Sequence, residues 1–239
     1  MINLEKEIRE QPEVLARISD ANKEEIRKLT LAAKQAGVKN ICFAARGTSD
    51  HASIYAQYLF AIYASVPCGL ATPSAVSKYG SKISYKDTLV IGVSQSGQAA
   101  DVLAVLRDAK SCGAITAAVT NDADSPLAKE ADYHLFCNAG PETSIAATKT
   151  FTSEMYLLAL LCAEWSGSAE LRSLLERVPG AVSDVLENIP ARLETFIGNY
   201  KNLETGVVLG RGVLYPIALE GALKILETNC VKMKGYPIS

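Results

Sequence analysis

A doubly wound α/β domain built on one parallel sheet is the fold class this sequence predicts. Three observations predict it. Short apolar runs alternate with helical patterns from Asn40 to Trp165, the arrangement of consecutive βαβ units. One unit is complete within Leu89–Thr120. It runs LVIGV, the turn Ser94-Gln95-Ser96-Gly97, the helical AADVLAVLRDAKSCG with Val102, Leu103, Val105 and Leu106 on one face, then ITAAV. These strands are apolar throughout rather than alternating, so both faces of the sheet are expected to be covered.

Residues 2 to 36 predict helices. Glu5, Ile8, Val14, Leu15 and Ile18 outline one amphipathic helix broken near Pro12, and a second runs from Lys23 to Lys34 and stops at Gly37. Asn40 to Ala45 is the first strand. Thr48-Ser49-Asp50 is expected to cap a helix reaching about Ala64, with Ile54, Tyr55, Tyr58, Leu59 and Ile62 as its apolar face. Cys68 to Ala71 is a short strand, and Ser74 to Tyr79 a short helix. After the central unit, residues 121–126 form a turn and Pro126 opens a short helix to Ala131. Tyr133 to Cys137 is a fifth strand, 138–148 a polar loop, and Thr148 the expected cap of a long helix from Lys149 to Trp165. Residues 167–180 and 181–200 predict polar-faced helices with breaks at Pro179 and Pro190. Thr205 to Leu209 is a strand, Gly210-Arg211-Gly212 a turn, and Tyr215 to Lys232 a helix. One strand and one helix do not make a domain. This tail either packs back on the first domain or opens a unit whose remainder lies elsewhere.

Five strands joined by right-handed crossovers favour the flavodoxin-like order 2-1-3-4-5. That order sets strands one and three side by side, with ligands expected at their carboxyl ends. Two hydroxyl-rich turns follow these strands, Gly47-Thr48-Ser49 and Ser94-Gln95-Ser96-Gly97, and Thr143-Ser144-Ile145-Ala146-Ala147-Thr148 follows the fifth. Each stands where a strand hands over to a helix N-terminus, whose free N–H groups and dipole suit an anion. Any one turn alone is ordinary capping; three on one rim point to a phosphate. No lysine lies in the central turn, so it is not a Walker loop, and a small phosphate monoester fits better than a nucleoside triphosphate.

Composition narrows the partners. A net charge of −2 without a basic block argues against nucleic acid and anionic membranes. The charged N-terminus has no apolar signal core, and the apolar run Met155 to Ala163 is too short to span a bilayer. The six cysteines are all more than four residues apart, which excludes zinc-ribbon and CxxC patterns. Reduced thiols in a cytoplasmic protein are expected. His51 and His134 are expected to be structural, and no metal or cofactor is implied.

Five stretches in order carry a resemblance: EIREQP (7–12 within it), ARGTSDHA (45–52), VSQSGQAAD (93–101), AGPETSIAATKTFT (139–152) and GRGVLYPIALEGALKILE (210–227). With them the chain resembles the SIS (sugar isomerase) family, specifically the isomerase half of glucosamine-6-phosphate synthase and its glutaminase-free relatives. The resemblance implies N-terminal helices over 1–36, a first SIS domain over 37–168, a helical linker over 169–200 and the beginning of a second SIS domain over 201–239. It implies a hexose or aminohexose 6-phosphate held by Thr48, Ser49, Ser94, Gln95 and Ser96, with Ile145 and Ala147 lining the site. Two hydroxyls usual in the family are replaced, by Ala99 and Ala147. Glu227 matches the carboxylate that moves a proton between C1 and C2 of the open-chain sugar, and Lys224 and Glu220 match residues around it. These three are spaced i, i+4, i+7 on one helix face; without the resemblance, Glu220–Lys224 would pass as an ordinary surface pair. Glu142 is a lesser candidate that shapes the loop. The family's His-Gly-Pro segment and C-terminal lysine would follow Ser239, so the chain is expected to be a fragment. Position 2 is Ile2 where the synthase has its glutaminase cysteine, so transfer of amide nitrogen is not expected.

Three readings follow. The first is a homodimeric isomerase or aminosugar-phosphate deaminase, with fructosamine phosphate cleavage as a neighbouring possibility. The second is a non-catalytic sugar-phosphate sensor, which would need the turns but not the carboxylates; no helix-turn-helix head precedes the domain. The third, a flavodoxin-like redox protein, lacks an aromatic pair to flank the flavin.

Overall fold

The computed structural model describes residues 2–238. Its main sheet has five parallel strands: β1 (Asn40–Ala44), β2 (Cys68–Leu70), β3 (Thr88–Val93), β4 (Ile115–Thr120) and β5 (Tyr133–Phe136). Their order is β2-β1-β3-β4-β5, as expected. Ile41, Phe43, Leu89, Ile91, Val93, Ala117, Val119 and Leu135 point to one core, while Ala44, Val90 and Ala118 point to the other. The first core is closed by α2 (Gln11–Gln35), α3 (Thr48–Leu59) and α7 (Lys149–Ser166). The second is closed by α5 (Ala100–Ser111) and α6 (Pro126–Glu130), with α4 (Pro73–Ser77) packed on α5. The apolar strands are thus covered on both faces. No helix among the described residues is long and apolar enough to cross a membrane.

The N-terminal helices differ from expectation. α1 (Asn3–Arg9) ends at Glu10, and α2 then runs unbroken for 25 residues. The polar stretch around Asn22 does not interrupt it. Asn22 is buried, donates to Phe136 O and accepts from Phe136 N, so it satisfies the outer edge of β5. The buried face of α3 is also different. Ser49, Ala52, Ser53, Ala56 and Leu59 are inside, while Ile62, in the π-helical turn that follows, is exposed. α3 is wedged against α7 and the helix α9 (Tyr215–Asn229), and small residues permit that close approach.

The linker is one helix, α8 (Ala169–Ile197), which passes through both Pro179 and Pro190. A proline removes one backbone donor but does not end a helix that packing holds. Leu171, Leu175, Val178 and Val182 repeat at steps of four and three and pack on the first core. The stripe continues outward through Val185, Ile189 and Phe196, so this helix is not polar all round.

The tail gains a strand the sequence did not suggest. α9 stops at Asn229, Cys230 takes a left-handed φ of 58°, and β7 (Lys232–Pro237) pairs in parallel with β6 (Thr205–Gly210). KMKGYP carries two lysines, a glycine and a proline, which hides it from β-propensity. Gly235 is what lets it dock: a Cβ there would lie 2.7 Å from Leu219 Cα of α9. The tail is therefore a complete βαβ unit, and α9 packs on α3.

Candidate functional site

The site is assembled at the carboxyl ends of β1 and β3, where strand order reverses. Three ties fix the rim. Arg46, after β1, lies 3.4 Å from Asp101 in the first turn of α5. Gln95 Nε2, after β3, donates to Glu142 at 3.0 Å. Glu142 in turn accepts from the backbone and hydroxyl of Thr148 at 2.9 and 3.0 Å, from Thr150 N at 3.3 Å and from the Thr150 hydroxyl.

The capping roles expected for Thr48 and Thr148 are not found. Gly47, at φ 56°, is the N-cap of α3, and neither N-cap residue uses a side chain on its helix. Thr48 already lies inside α3, so its hydroxyl is free for tertiary partners. At α7 the Glu142 carboxylate occupies the position a capping hydroxyl would take, favourably placed at the positive end of the helix dipole. The third loop is likewise engaged internally. Glu7 of α1 accepts from Thr143 N, the Thr143 hydroxyl and Ser144 N, and buried Lys149 pairs with Glu10. Of the expected ligand-facing hydroxyls in 143–148, these are committed to the N-terminal arm and to Glu142.

The central turn remains open. Ser94 N donates to Val119 O and Gly97 N to Ser94 O, while the Ser94 hydroxyl has no protein partner among the described residues. Ser96 is exposed and its hydroxyl accepts from Gln98 N. Ala99 stands at the N-cap of α5 and offers no capping side chain. Val102 N is taken by the Asp101 carboxylate at 2.9 Å, which leaves the Ala100 and Asp101 N–H groups for water or an anion.

Across this rim lies α9. Thr48 donates to Glu220 Oε1 at 2.9 Å and accepts from Lys224 Nζ at 3.1 Å. Lys224 also reaches Glu220 Oε1 at 3.1 Å and Glu227 Oε2 at 2.5 Å. The structure thus brings Thr48, Glu220, Lys224 and Glu227 into one contiguous chain of contacts. Burial pushes the Glu220 carboxyl up, but hydrogen bonds from His51 and Thr48 and the charge of Lys224 outweigh it and hold the group below the usual carboxylate range. Ala147 lines a cleft of about 280 Å³ with Glu220, Lys224 and Ile217, whereas Ile145 is 96% exposed.

Two residues here escaped the sequence reading. His51, expected to be structural, places Nδ1 2.7 Å from Glu220 Oε2. Glu154 of α7, 1% exposed, accepts from the Ser49 hydroxyl at 2.9 Å, and its second oxygen has no partner. A lone acid inside SEMYLLALL was the available signal. Burial raises Glu154 to about 8, opposed by the Ser49 bond and reinforced by Glu142 and Glu220. At neutral pH it is a neutral acid beneath the first turn. The native state therefore holds a proton that the unfolded chain releases near the ordinary carboxylate value of 4.5. Stability falls as pH rises through that window, at up to about 1.4 kcal/mol per pH unit. Glu154→Gln, neutral at every pH, should gain on wild type between pH 4.5 and 8 and run parallel outside that range. Chemical denaturation at five pH values checks this; a constant difference would mean that Glu154 is ionised in the fold.

Fold and rim together define a doubly wound α/β protein with polar turns gathered at the reversal point of its sheet. The chain belongs to the SIS domain family, whose sequence model matches residues 36–163. It is 36% identical, over 97% of its length, to a glutamine–fructose-6-phosphate aminotransferase (isomerizing) from Halobacterium salinarum. It covers 41% of that protein, so it spans about two fifths of the length of such relatives. A crystal structure of a candidate phosphosugar isomerase from Silicibacter pomeroyi superposes with a TM-score of 0.92 at 30% identity, over 99% of this chain and 72% of that one. The C-terminal domain of glucosamine-fructose-6-phosphate aminotransferase from Francisella tularensis gives 0.80 at 28% identity, over 98% and 69%.

Proposed function

We propose that this chain binds a hexose or aminohexose 6-phosphate and belongs to an enzyme that moves a proton between C1 and C2 of the open-chain sugar, as an aldose–ketose isomerase or an aminosugar-phosphate deaminase. The observation that best supports this is the double contact of Thr48, which donates to Glu220 and accepts from Lys224. The phosphate turns and the acid–base face of α9 meet at that side chain. In this reading the phosphate rests on Ser94, Gln95, Ser96 and the uncapped start of α5, with Thr48 and Ser49 beside it. Ile145 and Ala147 flank the sugar. Glu227 is the base, working on a C–H made acidic by the neighbouring carbonyl, and Lys224 fixes its position. Residues 201–239 open a second SIS domain, and the working assembly is a homodimer. The similarity to glutamine–fructose-6-phosphate aminotransferases and to a candidate phosphosugar isomerase supports the substrate class.

Binding is tested by thermal shift with glucosamine 6-phosphate, fructose 6-phosphate and the same sugars without phosphate. Ligand at about 100 times Kd adds about 2.7 kcal/mol, on the order of 5–10 °C for a chain of this size. The phosphosugars alone should give the shift, and Ser94→Ala/Ser96→Ala should remove it. In D2O the wild type should exchange the C1 or C2 hydrogen for deuterium, and Glu227→Gln should stop that exchange while keeping the shift. A shift without exchange would favour the sensor reading. No shift with either phosphosugar would overturn the proposal.

A further inference from the structure

Glu154 lies beneath the rim, 1% exposed, and its one hydrogen-bond partner among the described residues is Ser49 Oγ, 2.9 Å from Oε1. Oε2 has none. The charged groups that act on it are both carboxylates, Glu142 from the loop before α7 and Glu220 from α9. The nearby cations are engaged elsewhere: Lys149 of α7 pairs with Glu10, and His51 of α3 is turned to Glu220. The end of β5 adds the Cys137 thiol, which burial keeps protonated, while Asp20 of α2 and Glu176 of α8 bear on Tyr156 instead. A buried carboxyl without a cation is a neutral acid, and its proton has two seats. On Oε2 it would be a buried donor with no acceptor, the costlier defect. On the oxygen facing Ser49 it makes the 2.9 Å hydrogen bond, and what stays unpaired is a carbonyl oxygen. Ser49 Oγ is then an acceptor, and the hydroxyl's single hydrogen is free.

Ser49 stands at the rim. It is in the first turn of α3, after β1, and β1 lies beside β3 with Ala44 opposite Gly92. Its neighbour Thr48 meets Glu220 and Lys224, and Ser94 follows β3. Ser49 and Ser94 are 7% and 8% exposed, so both sit where the interior meets the rim. We propose that Glu154 is a positioning residue of this site, a neutral acid whose hydrogen bond to Ser49 Oγ leaves the Ser49 hydrogen to the phosphate of the bound sugar. The proposal rests on the sugar-phosphate reading above. No proton changes hands. Glu154 keeps its own, and the two hydrogen bonds run one way, from Glu154 to Ser49 and from Ser49 to a phosphate oxygen. Ionised Glu154 reverses the first bond. It claims the Ser49 hydrogen and leaves only lone pairs toward the phosphate, so the ionised form opposes binding. By linkage, the bound phosphosugar holds the proton on Glu154. Burial raises that carboxyl to about 8, a range in which a phosphate monoester is already a dianion.

The test is calorimetry of fructose 6-phosphate binding to the full chain, in two buffers of different ionisation heat, with thermal shift run beside it. At pH 8 binding to wild type should take up about half a proton, and the apparent Kd should rise about tenfold from pH 7 to 9. Glu154→Gln keeps a donor to Ser49 at every pH, so it should bind with no proton uptake and no such rise. Ser49→Ala should bind more weakly at pH 7 and also take up none, because the acid reaches the phosphate through that hydroxyl. Uptake by Ser49→Ala equal to that of wild type would mean that Glu154 acts by charge alone, and overturns the proposal. Wild type that binds without proton uptake, or Glu154→Gln that takes up as much as wild type, overturns it too and leaves the binding reading intact. Neither heat nor thermal shift with wild type at pH 7 overturns the sugar-phosphate reading itself, and the proposal with it. Should Glu154→Gln fail to fold, wild type against Ser49→Ala decides.

Discussion

Glu142→Ala is expected to melt on the order of 10 °C below wild type, from a loss of about 4 kcal/mol. The carboxylate joins three parts of the chain that nothing else joins as directly: Gln95 after β3, the loop at 142, and the first turn of α7. Thr150 is 1% exposed, so its hydroxyl cannot turn to water when the acceptor is removed. Each buried donor left unpaired costs about 1–3 kcal/mol. The N-terminus of α7 would also lose the negative group at its dipole. Glu142→Gln keeps acceptor capacity but sets an amide donor against Gln95 and Thr150, so an intermediate loss is expected. Hydrogen exchange should rise over 141–150 in both variants. A loss under about 1 kcal/mol for Glu142→Ala would show that the loop is held by Glu7 and Lys149 alone.

Gly97→Ala should cost about 3 kcal/mol or more, through two separable causes. Gly97 has φ 62°, a conformation an L side chain adopts at a cost. Its Cβ would also overlap Ser125 Oγ and Cβ. Ser125 cannot withdraw freely, because its hydroxyl accepts from Ala128 N to cap α6 and donates to Asp122 O. Leu127 N donates to Gly97 O as well, so the turn and α6 would move together. Adding Ser125→Gly should recover the steric part and leave the backbone part, a coupling visible in a double-mutant cycle by denaturant titration. Strict additivity of the two substitutions would mean the turn tolerates the methyl without moving α6.

How much was legible differs by element. Strands Asn40–Ala44, Thr88–Val93 and Ile115–Thr120 were plain, since a strand buried on both faces is apolar at nearly every position and leaves few other patterns. The polar turns at 47–49 and 94–97 were legible for the same reason, as hydroxyls and glycine between apolar runs. Boundaries set by distant partners were not. The second helix was expected to begin only at Lys23, whereas α2 runs on through Asn22, whose side chain finds its partners at the edge of β5. Pro179 and Pro190 read as breaks until a stripe spaced for packing carries α8 past them. β7 pairs through its backbone while α9 lies against it, and KMKGYP shows neither feature.

The sequence by itself determined the sheet, its strand order, the rim of hydroxyl turns and the helix face bearing Glu220, Lys224 and Glu227. Elements and turns follow from local periodicity and turn chemistry, which act between neighbours in the chain, and the strand order from the handedness of short crossovers. Only the tertiary structure decided which of those groups are free and which are engaged. Thr48 meets Glu220 across 172 residues, Ser49 meets Glu154 across 105, and Thr143 meets Glu7 across 136. A hydroxyl or carboxylate carries the same letter whether it faces a ligand or a partner. Its protonation and its availability depend on burial and on charges that only packing brings within reach.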